Sequence, residues 1–202
     1  MATGEKRARG RPRSVNRGAA VEVAMDQYWR RGLSSVSLNE MCRLAGISKP
    51  ALYREFGGED GLQAAALDAY REVVVVPMLQ ALFVERPFAA TLDGAIVALT
   101  SDRGTPSGCL FTRMRIDRSK LGPLAADRVR QLEQEQLDAF ARWYRSGLER
   151  GEANPEHSAE LAARCVDTQL AAVLVQMGLG LDPESVRQQA RVALSPMVAP
   201  SR

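Results

Sequence analysis

A short stretch, LAGISKPALYREF over 44–56, carries the side chains of this sequence that are best suited to contact a nucleic acid. Within six residues it supplies a hydroxyl, an ammonium and a phenol, with a small alanine among them. Such groups donate hydrogen bonds to phosphate oxygens, and a lysine also reaches the acceptor edge of guanine. The residues predicted to face DNA are Ser48, Lys49, Ala51 and Tyr53, with Arg54 as a possible addition.

Two short helices are predicted to hold these side chains. Ser37 and Glu40 have the spacing of a capping box, so a first helix is expected over 37–45. A glycine then supplies a sharp turn, and Ser48 is a suitable N-cap for a second helix over 49–56. A proline in the first turn of that second helix costs little, because its missing N–H would have no helical partner there.

This helix pair has the dimensions of a helix-turn-helix, in which the second helix enters the major groove of DNA. An ordinary helical hairpin has the same spacing, so this pattern alone leaves both interpretations open. Apolar residues at three- and four-residue steps predict a preceding helix over 16–31.

A basic arm over 1–13 lies before that helix, and its Arg11 and Arg13 are expected to enter an A·T-rich minor groove. A solubilising tail is the alternative for an isolated charge run. Residues 1–54 contain eleven Lys/Arg and four Asp/Glu, a charge of +7. Because the whole chain carries +3, the other 148 residues carry −4. A basic head on a mildly acidic body indicates a polyanionic partner, and together with the helix pair it favours DNA.

The composition predicts an all-α fold of about nine helices, with a three-helix head and a helical body. Only 5% of the residues are aromatic, whereas good helix formers abound. Further helices are expected over 59–83 (bent near Pro77), 87–100, 106–117, 123–150, 155–179 and 183–198.

Several functional classes have little support in the sequence. The longest nearly apolar stretch, 170–181, is too short to span a bilayer, and the N-terminus has no secretory h-region, so we expect a cytoplasmic chain without a membrane partner. The three cysteines are widely spaced and match neither a disulfide framework nor a zinc pattern, so no metal or cofactor is expected. The single histidine, His157, is accompanied by no nucleophile elbow or phosphate loop, so we expect no enzyme.

Residues from about 14 to 69 closely resemble the DNA-binding domain of the TetR family of bacterial transcriptional regulators. The resemblance rests on SLNEMCRLAGISKPALYREF over 37–56, where AGIS is followed by LY and then by F three residues later. It implies that Ser37 contacts phosphate and that Tyr53 contacts the DNA backbone. One departure is Glu59, which stands near the start of the fourth helix, where the family commonly has a phosphate-contacting lysine.

The same resemblance implies a ligand-responsive regulator, by family default a repressor, that binds a palindromic operator as a homodimer and is released by a small-molecule effector. It divides the chain into the arm at 1–13, a DNA-binding domain at 14–58 and an effector-binding and dimerisation domain at 59–202.

The last two helices carry many apolar residues, and two such faces are hard to hide inside one small subunit. We therefore expect a dimer surface there, with monomer core as the alternative. The expected contacts are Leu170, Val173, Leu174, Met177, Ala190 and Leu194.

An effector pocket is expected among the body helices, with aromatic and methionine walls and a few polar groups. For each side chain, ordinary core packing is the alternative. The candidate lining residues are Tyr70, Phe111, Met114, Trp143, Tyr144 and Gln169.

Two alternative functions remain open. Cys109 lies at a predicted helix start, where the helix dipole can lower a thiol pKa, so a thiol-based redox or electrophile sensor is one of them. The other is a sequence-independent architectural DNA-binding protein, which would show steep salt dependence and no preferred operator.

Overall fold

The structure, a computed structural model, describes residues 16–102 and 104–200. The helix bounds confirm the expected all-α fold. The described part of the chain contains no named strand, and it has nine helical segments when the continuous stretch 59–81 is counted as one. The α-helices are α1 (Arg17–Arg31), α2 (Leu38–Leu44), α3 (Lys49–Phe56), α4 (Glu59–Tyr70), α5 (Val76–Ala81), α6 (Phe88–Thr100), α7 (Leu110–Ile116), α8 (Pro123–Glu149), α9 (Ala159–Gly178) and α10 (Pro183–Leu194). Short 3₁₀ turns cover Leu33–Ser35, Arg118–Lys120 and Ser195–Met197.

The predicted N-caps of the two short helices are present. Ser37 Oγ accepts the Glu40 N–H at 3.2 Å, and Ser48 Oγ accepts the Ala51 N–H at 3.3 Å. The predicted capping box is only half formed, because the Glu40 carboxylate accepts a hydrogen bond from the Arg31 guanidinium at 2.7 Å. That ion pair joins the end of α1 to α2 and lowers the pKa of Glu40.

Helix α9 begins later than the predicted 155–179, at a different N-cap. Ser158 Oγ accepts the Leu161 N–H at 3.2 Å, whereas Asn154 is used elsewhere. The Asn154 side-chain amide donates to the Pro196 carbonyl and its backbone N–H to the Met197 carbonyl, each at 3.0 Å, so Asn154 is held by the 3₁₀ turn that ends the described helices. Asn154, which the local pattern predicts to be an N-cap, therefore makes long-range hydrogen bonds instead.

Two other predicted helices are shorter than expected at one end. Helix α7 begins at Leu110 rather than at 106, because Gly108 has φ +82°, a left-handed conformation that cannot lie inside an α-helix. Helix α10 ends at Leu194 rather than at 198, and a 3₁₀ turn containing Pro196 follows it. Proline donates no backbone N–H, so a helix is not favoured to continue through it.

A π-helical turn, Arg71–Val75, joins α4 to α5 just before Pro77, where a bend is predicted. Proline cannot donate to the carbonyl four residues earlier, so the regular hydrogen-bond pattern must change near it. The Arg71 guanidinium forms two hydrogen bonds to the Glu135 carboxylate, at 2.7 and 2.6 Å, which fasten this turn to α8. The same pairing raises the pKa of Arg71.

Helix α4 belongs to both parts of the molecule. It packs against α1 and α3 of the head and against α8 of the body, where α8 also packs against α9. Its Leu62 and Leu67 are fully buried in the core that the two parts share. A displacement of α4 relative to the body therefore also displaces the head.

Asp60, in the first turn of α4, caps the N-terminus of α8. Its two carboxylate oxygens accept the backbone N–H groups of Leu124 and Ala125, each at 2.9 Å. We expect Asp60→Ala to lower the free energy of unfolding by about 1–2 kcal/mol, because two helix N–H groups lose a charged acceptor. Urea unfolding followed by circular dichroism measures this change.

The matched control is Glu59→Ala, at the neighbouring position of the same turn. Among the described residues, the Glu59 carboxylate accepts no hydrogen bond from α8, so this substitution should leave the urea midpoint nearly unchanged. Equal midpoints for the two variants would contradict the capping role of Asp60.

Candidate nucleic-acid interface

Helices α2 and α3 are held on α1 and α4 by apolar side chains that point away from solvent. Met41, Leu52 and Phe56 are buried in the common core, as expected from their helical spacing. The end of α3 lies directly on α4, since a Cβ on Gly61 would come within 1.7 Å of the Phe56 carbonyl oxygen. Only glycine permits this approach, and it fixes the direction in which α3 leaves the core.

The opposite side of α3 is open to solvent. Ser48 and Lys49 are exposed at its N-terminal end, and Tyr53, one turn further on, is 57% exposed. These three side chains therefore form one accessible face, as the sequence predicts. We call Ser48, Lys49 and Tyr53 the α3 face.

Ala51 is a correction to the predicted set. It is buried, with 5% of its surface accessible, so its methyl group is not available to a groove. The helical period explains this, because a residue two positions after Lys49 lies about 200° around the helix and turns toward the head's interior.

The remaining predicted contacts lie beside the α3 face or outside the described residues. Ser37 is exposed at the start of α2, and Arg54 is exposed on α3, where its Nε donates to the Glu55 carboxylate at 3.0 Å. Arg11 and Arg13 lie outside the described residues. Pro50 is exposed next to Lys49, which the sequence pattern does not indicate.

Part of the positive charge of the head is not neutralised by acids of the head. Arg30 and Arg31 are paired with acids, at 2.7 Å in each case. Arg17, Arg43 and Lys49 make no ion pair with any described residue. The head therefore retains positive charge that an external anion can neutralise.

The first turn of α4 carries Glu59 and Asp60, where the family resemblance leads one to expect a lysine. The Asp60 carboxylate accepts hydrogen bonds from the first turn of α8, so this acidic turn connects the head to the body. The turn that lacks the family's lysine is therefore also a head–body contact.

The predicted effector-pocket residues do not surround one common space. Tyr70 and Phe111 border a small enclosed cavity of about 40 Å³. Trp143 stacks on the Phe88 ring at a centroid distance of 4.1 Å, and Tyr144 donates its hydroxyl to the Asn154 carbonyl at 2.8 Å. Met114 is fully buried, and Gln169 is half-buried. Trp143, Tyr144 and Met114 are therefore packed in the core, which was the alternative to a place in the pocket wall.

A larger cavity of about 460 Å³ opens between α5 and α6, beside the π-helical turn. Trp29 of α1, Val73 and Val74 of the π turn, and Met78 of α5 contribute to its wall. The sequence pattern did not indicate this cavity, because its wall combines residues from three distant segments, each of which reads as ordinary core.

Cys109 is the N-cap of α7, close to the predicted helix start, and is buried with 7% of its surface accessible. Its Sγ accepts a hydrogen bond from the Tyr70 hydroxyl at 3.1 Å and one from the Thr112 N–H at 3.4 Å. Reactive thiols need access as well as a favourable helix terminus. This burial does not favour the thiol-sensor alternative.

The predicted dimer contacts lie largely inside the subunit. Leu170, Val173, Ala190 and Leu194 are buried in its core, and Leu174 and Met177 pack against that core. The four buried side chains therefore have little surface left for a partner, as the monomer-core alternative requires. The exposed large apolar residues here are Leu161 and Val175 of α9, Leu179 at the C-cap of α9 and Val192 of α10.

Within the described residues, no group of three or more His, Cys, Asp or Glu is placed to hold a metal ion. In the same part of the chain, no helix is long and apolar enough to cross a membrane.

Residues 20–66 match the family model described as bacterial regulatory proteins, tetR family. That range contains α2, the turn and the whole α3 face. The chain carries a TetR-family N-terminal domain. The resemblance carried by SLNEMCRLAGISKPALYREF is thereby confirmed.

Two proteins of Escherichia coli (strain K12) are similar to about half of this chain. The HTH-type transcriptional repressor ComR is 33% identical over 110 residues, which cover 52% of this chain and 52% of ComR. The HTH-type transcriptional repressor BdcR is 28% identical over 109 residues, which cover 52% of this chain and 55% of BdcR. The chain thus spans about half the length of these curated relatives.

Solved structures of TetR-family regulators resemble nearly the whole chain. A cysteine mutant of the TetR family transcriptional regulator CifR, complexed with 26bp double-strand operator DNA, is 26% identical with a TM-score of 0.72, and the match covers 93% of this chain and 100% of that one. The reduced form of E. coli NemR is 14% identical with a TM-score of 0.78, covering 91% of this chain and 97% of NemR. The likeness to NemR shows the fold alone.

Proposed function

We propose that this chain is a cytoplasmic transcriptional repressor that binds a palindromic DNA operator as a homodimer and is released by a small-molecule effector. The observation that carries the proposal is the exposed α3 face, which lies inside the TetR-family domain. ComR and BdcR, which resemble about half of the chain, are named transcriptional repressors, and CifR was solved with operator DNA.

The head offers two kinds of DNA contact. Lys49 and Tyr53 project from α3, the helix that enters the major groove in a helix-turn-helix, where Lys49 can reach a guanine edge or a phosphate. Ser37, Ser48 and Arg54 are exposed, so their side chains can donate hydrogen bonds to phosphate, which would set the register on DNA. Arg11 and Arg13 of the arm would add minor-groove contacts.

Two features support a homodimer, namely the surface of the body and the symmetry of the proposed palindromic operator. Leu161, Val175 and Leu179 lie within about 40° of one another around α9, at 100° per residue, and are 52%, 38% and 73% exposed. Such an apolar strip is unfavourable in water, and a second copy related by a two-fold axis would cover it. Two heads held in this way read two half-sites of one palindrome.

Release by an effector requires a body that can move the head. Helix α4 packs against both parts, so an effector that changes the position of α4 changes the distance between the two α3 faces of a dimer. Operator affinity falls if that distance no longer matches the half-site spacing.

Selection of DNA fragments by the purified chain, at moderate salt and read by sequencing, tests the proposal. We expect a palindrome with half-sites about one helical turn apart. Recovery of only A·T-rich DNA without symmetry would replace this proposal with the architectural alternative, in which the basic arm dominates binding.

A further inference from the structure

We propose that the 460 Å³ cavity between α5 and α6 binds a small apolar molecule that carries one anionic group, and that this ligand acts on the head through Trp29. The inference rests on the proposed regulatory function, and it names the effector's site and chemical class. The cavity volume falls within the range of about 300–1,000 Å³ that is usual for small-molecule sites.

The body of the ligand must be apolar, because most of the wall is. Val73, Met78, Leu82 and Ala95 are among the side chains that border the cavity, and they offer no hydrogen bond. Thr91 also borders it, but its hydroxyl already donates to the Pro87 carbonyl at 3.2 Å. A ligand with many polar groups would therefore lose its hydration without replacement.

The rim supplies one positive charge and no negative one. Among the described residues, Arg86 is the only charged one that lines the cavity, and it makes no ion pair with any described acid. Its Nη1 lies 3.5 Å from the position that a Cβ on Gly94 would occupy, so the guanidinium rests against α6 where that helix has no side chain. An unpaired guanidinium at the mouth of an apolar cavity selects a carboxylate, sulfonate or phosphate group on the ligand.

The wall next to the π-helical turn is shaped by that turn. Val73, an apolar residue of this turn, is 60% exposed, whereas Val75 of the same turn is buried. Widened turns of this kind recur at functional sites, since they reposition side chains relative to a regular helix. Here the turn leaves Val73 and Val74 facing space that a ligand can fill.

The cavity reaches the head through Trp29, which lies near the end of α1. The Trp29 Nε1–H donates to the Gly108 carbonyl at 3.2 Å, and its ring packs edge-on against Tyr70 at a centroid distance of 4.8 Å. Trp29 therefore connects α1 with α4 and with the segment before α7. A ligand in contact with this ring changes the contact between α1 and the body. Because α1 is part of the head, the head then changes its position on the body.

Fluorescence with a probe of the expected chemistry tests the site. The probe is 8-anilinonaphthalene-1-sulfonate, which joins an apolar ring system to one anionic group, and its uncharged counterpart is N-phenyl-1-naphthylamine. The full chain with Trp143→Phe retains Trp29 as its only tryptophan. We expect saturable quenching of Trp29 emission together with sensitised emission from the bound sulfonate.

Two substitutions separate this cavity from other apolar surfaces. Ala95→Phe should fill the cavity and weaken sulfonate binding by about tenfold or more, whereas Ala89→Phe, on the exposed opposite side of α6, should have no effect. Arg86→Gln should weaken the sulfonate by about tenfold and leave the uncharged probe unchanged. Equal sulfonate binding by all these chains would overturn the site, and an equal loss for both probes in Arg86→Gln would overturn the anionic class.

The regulatory part has a separate readout on the selected operator. The sulfonate should weaken operator binding at least about fivefold, and Ala95→Phe should abolish this response. Probe binding at the cavity with unchanged operator affinity would overturn the regulatory role. If the chain selects no operator, the proposed function fails, and the fluorescence result still decides whether the cavity binds its ligand.

Discussion

We expect the double variant Lys49→Ala, Tyr53→Ala to bind the selected operator about a hundredfold or more weakly than the unchanged chain. Both side chains are exposed on α3, so their removal takes away a base or phosphate contact and a backbone contact without opening the core. Each good contact of this kind is worth roughly 1–3 kcal/mol, and the two together account for the expected loss. Fluorescence anisotropy of a labelled operator measures it.

The control is Lys120→Ala, which removes an exposed lysine from the body, where its only ion pair with a described residue is to Asp117. Operator affinity should be unchanged in this variant, and thermal unfolding should be unchanged in the double variant. A double variant that keeps full operator affinity would show that α3 is not the recognition helix.

The second large effect is expected at Asp167 on α9, which is 4% exposed. The Arg115 guanidinium donates two hydrogen bonds to its carboxylate, at 3.1 and 2.8 Å, and the Gln136 side-chain amide donates a third at 2.5 Å. Asp167→Ala removes the acceptor of all three hydrogen bonds, so the buried Gln136 amide loses this partner and the Arg115 guanidinium keeps its ion pair with Glu133, at 3.0 Å. Losing these charge-assisted hydrogen bonds from a largely buried network should cost about 2–3 kcal/mol, so the urea midpoint should fall clearly.

Asp127→Ala on α8 is the matched control, because it also removes one acid from an ion pair. The Asp127 and Arg130 side chains are about half exposed, so this loss should amount to about 1 kcal/mol or less. If the two variants unfold at the same urea concentration, the buried network does not contribute as its geometry indicates.

Local signals were sufficient for the helices whose ends depend on neighbouring residues. Asn16, Ser37, Ser48 and Asp182 each accept a backbone N–H three residues on, and the helices they cap begin where the sequence predicts. Helix α9 did not follow this rule, because Asn154 is held by the 3₁₀ turn that ends the described helices. No local pattern contains that contact.

The exposure of Ser48, Lys49 and Tyr53 could be predicted because α3 is short and its motif is specific. The error at Ala51 is one of helical phase, since the direction of each residue depends on how α3 rests on α4. A dimer surface is harder to predict from sequence. An apolar pattern shows that Leu170 and Val173 avoid water, but not whether their own subunit or a partner covers them.

The cavity between α5 and α6 was beyond sequence reasoning for a related reason. Its wall combines Trp29, the π-helical turn and α6, which approach one another only in the folded chain. The turn itself depends on where Pro77 interrupts a long helix, and the cavity on the space that Gly94 leaves.

A single competition experiment tests the central proposal most directly. The full chain is bound to the selected palindrome and challenged with the same fragment whose half-sites have been scrambled, at one fixed salt concentration. We predict a preference of about a thousandfold or more for the palindrome, as expected for a two-headed repressor. Equal affinity for the two fragments would contradict the proposal and leave a DNA-binding protein without an operator.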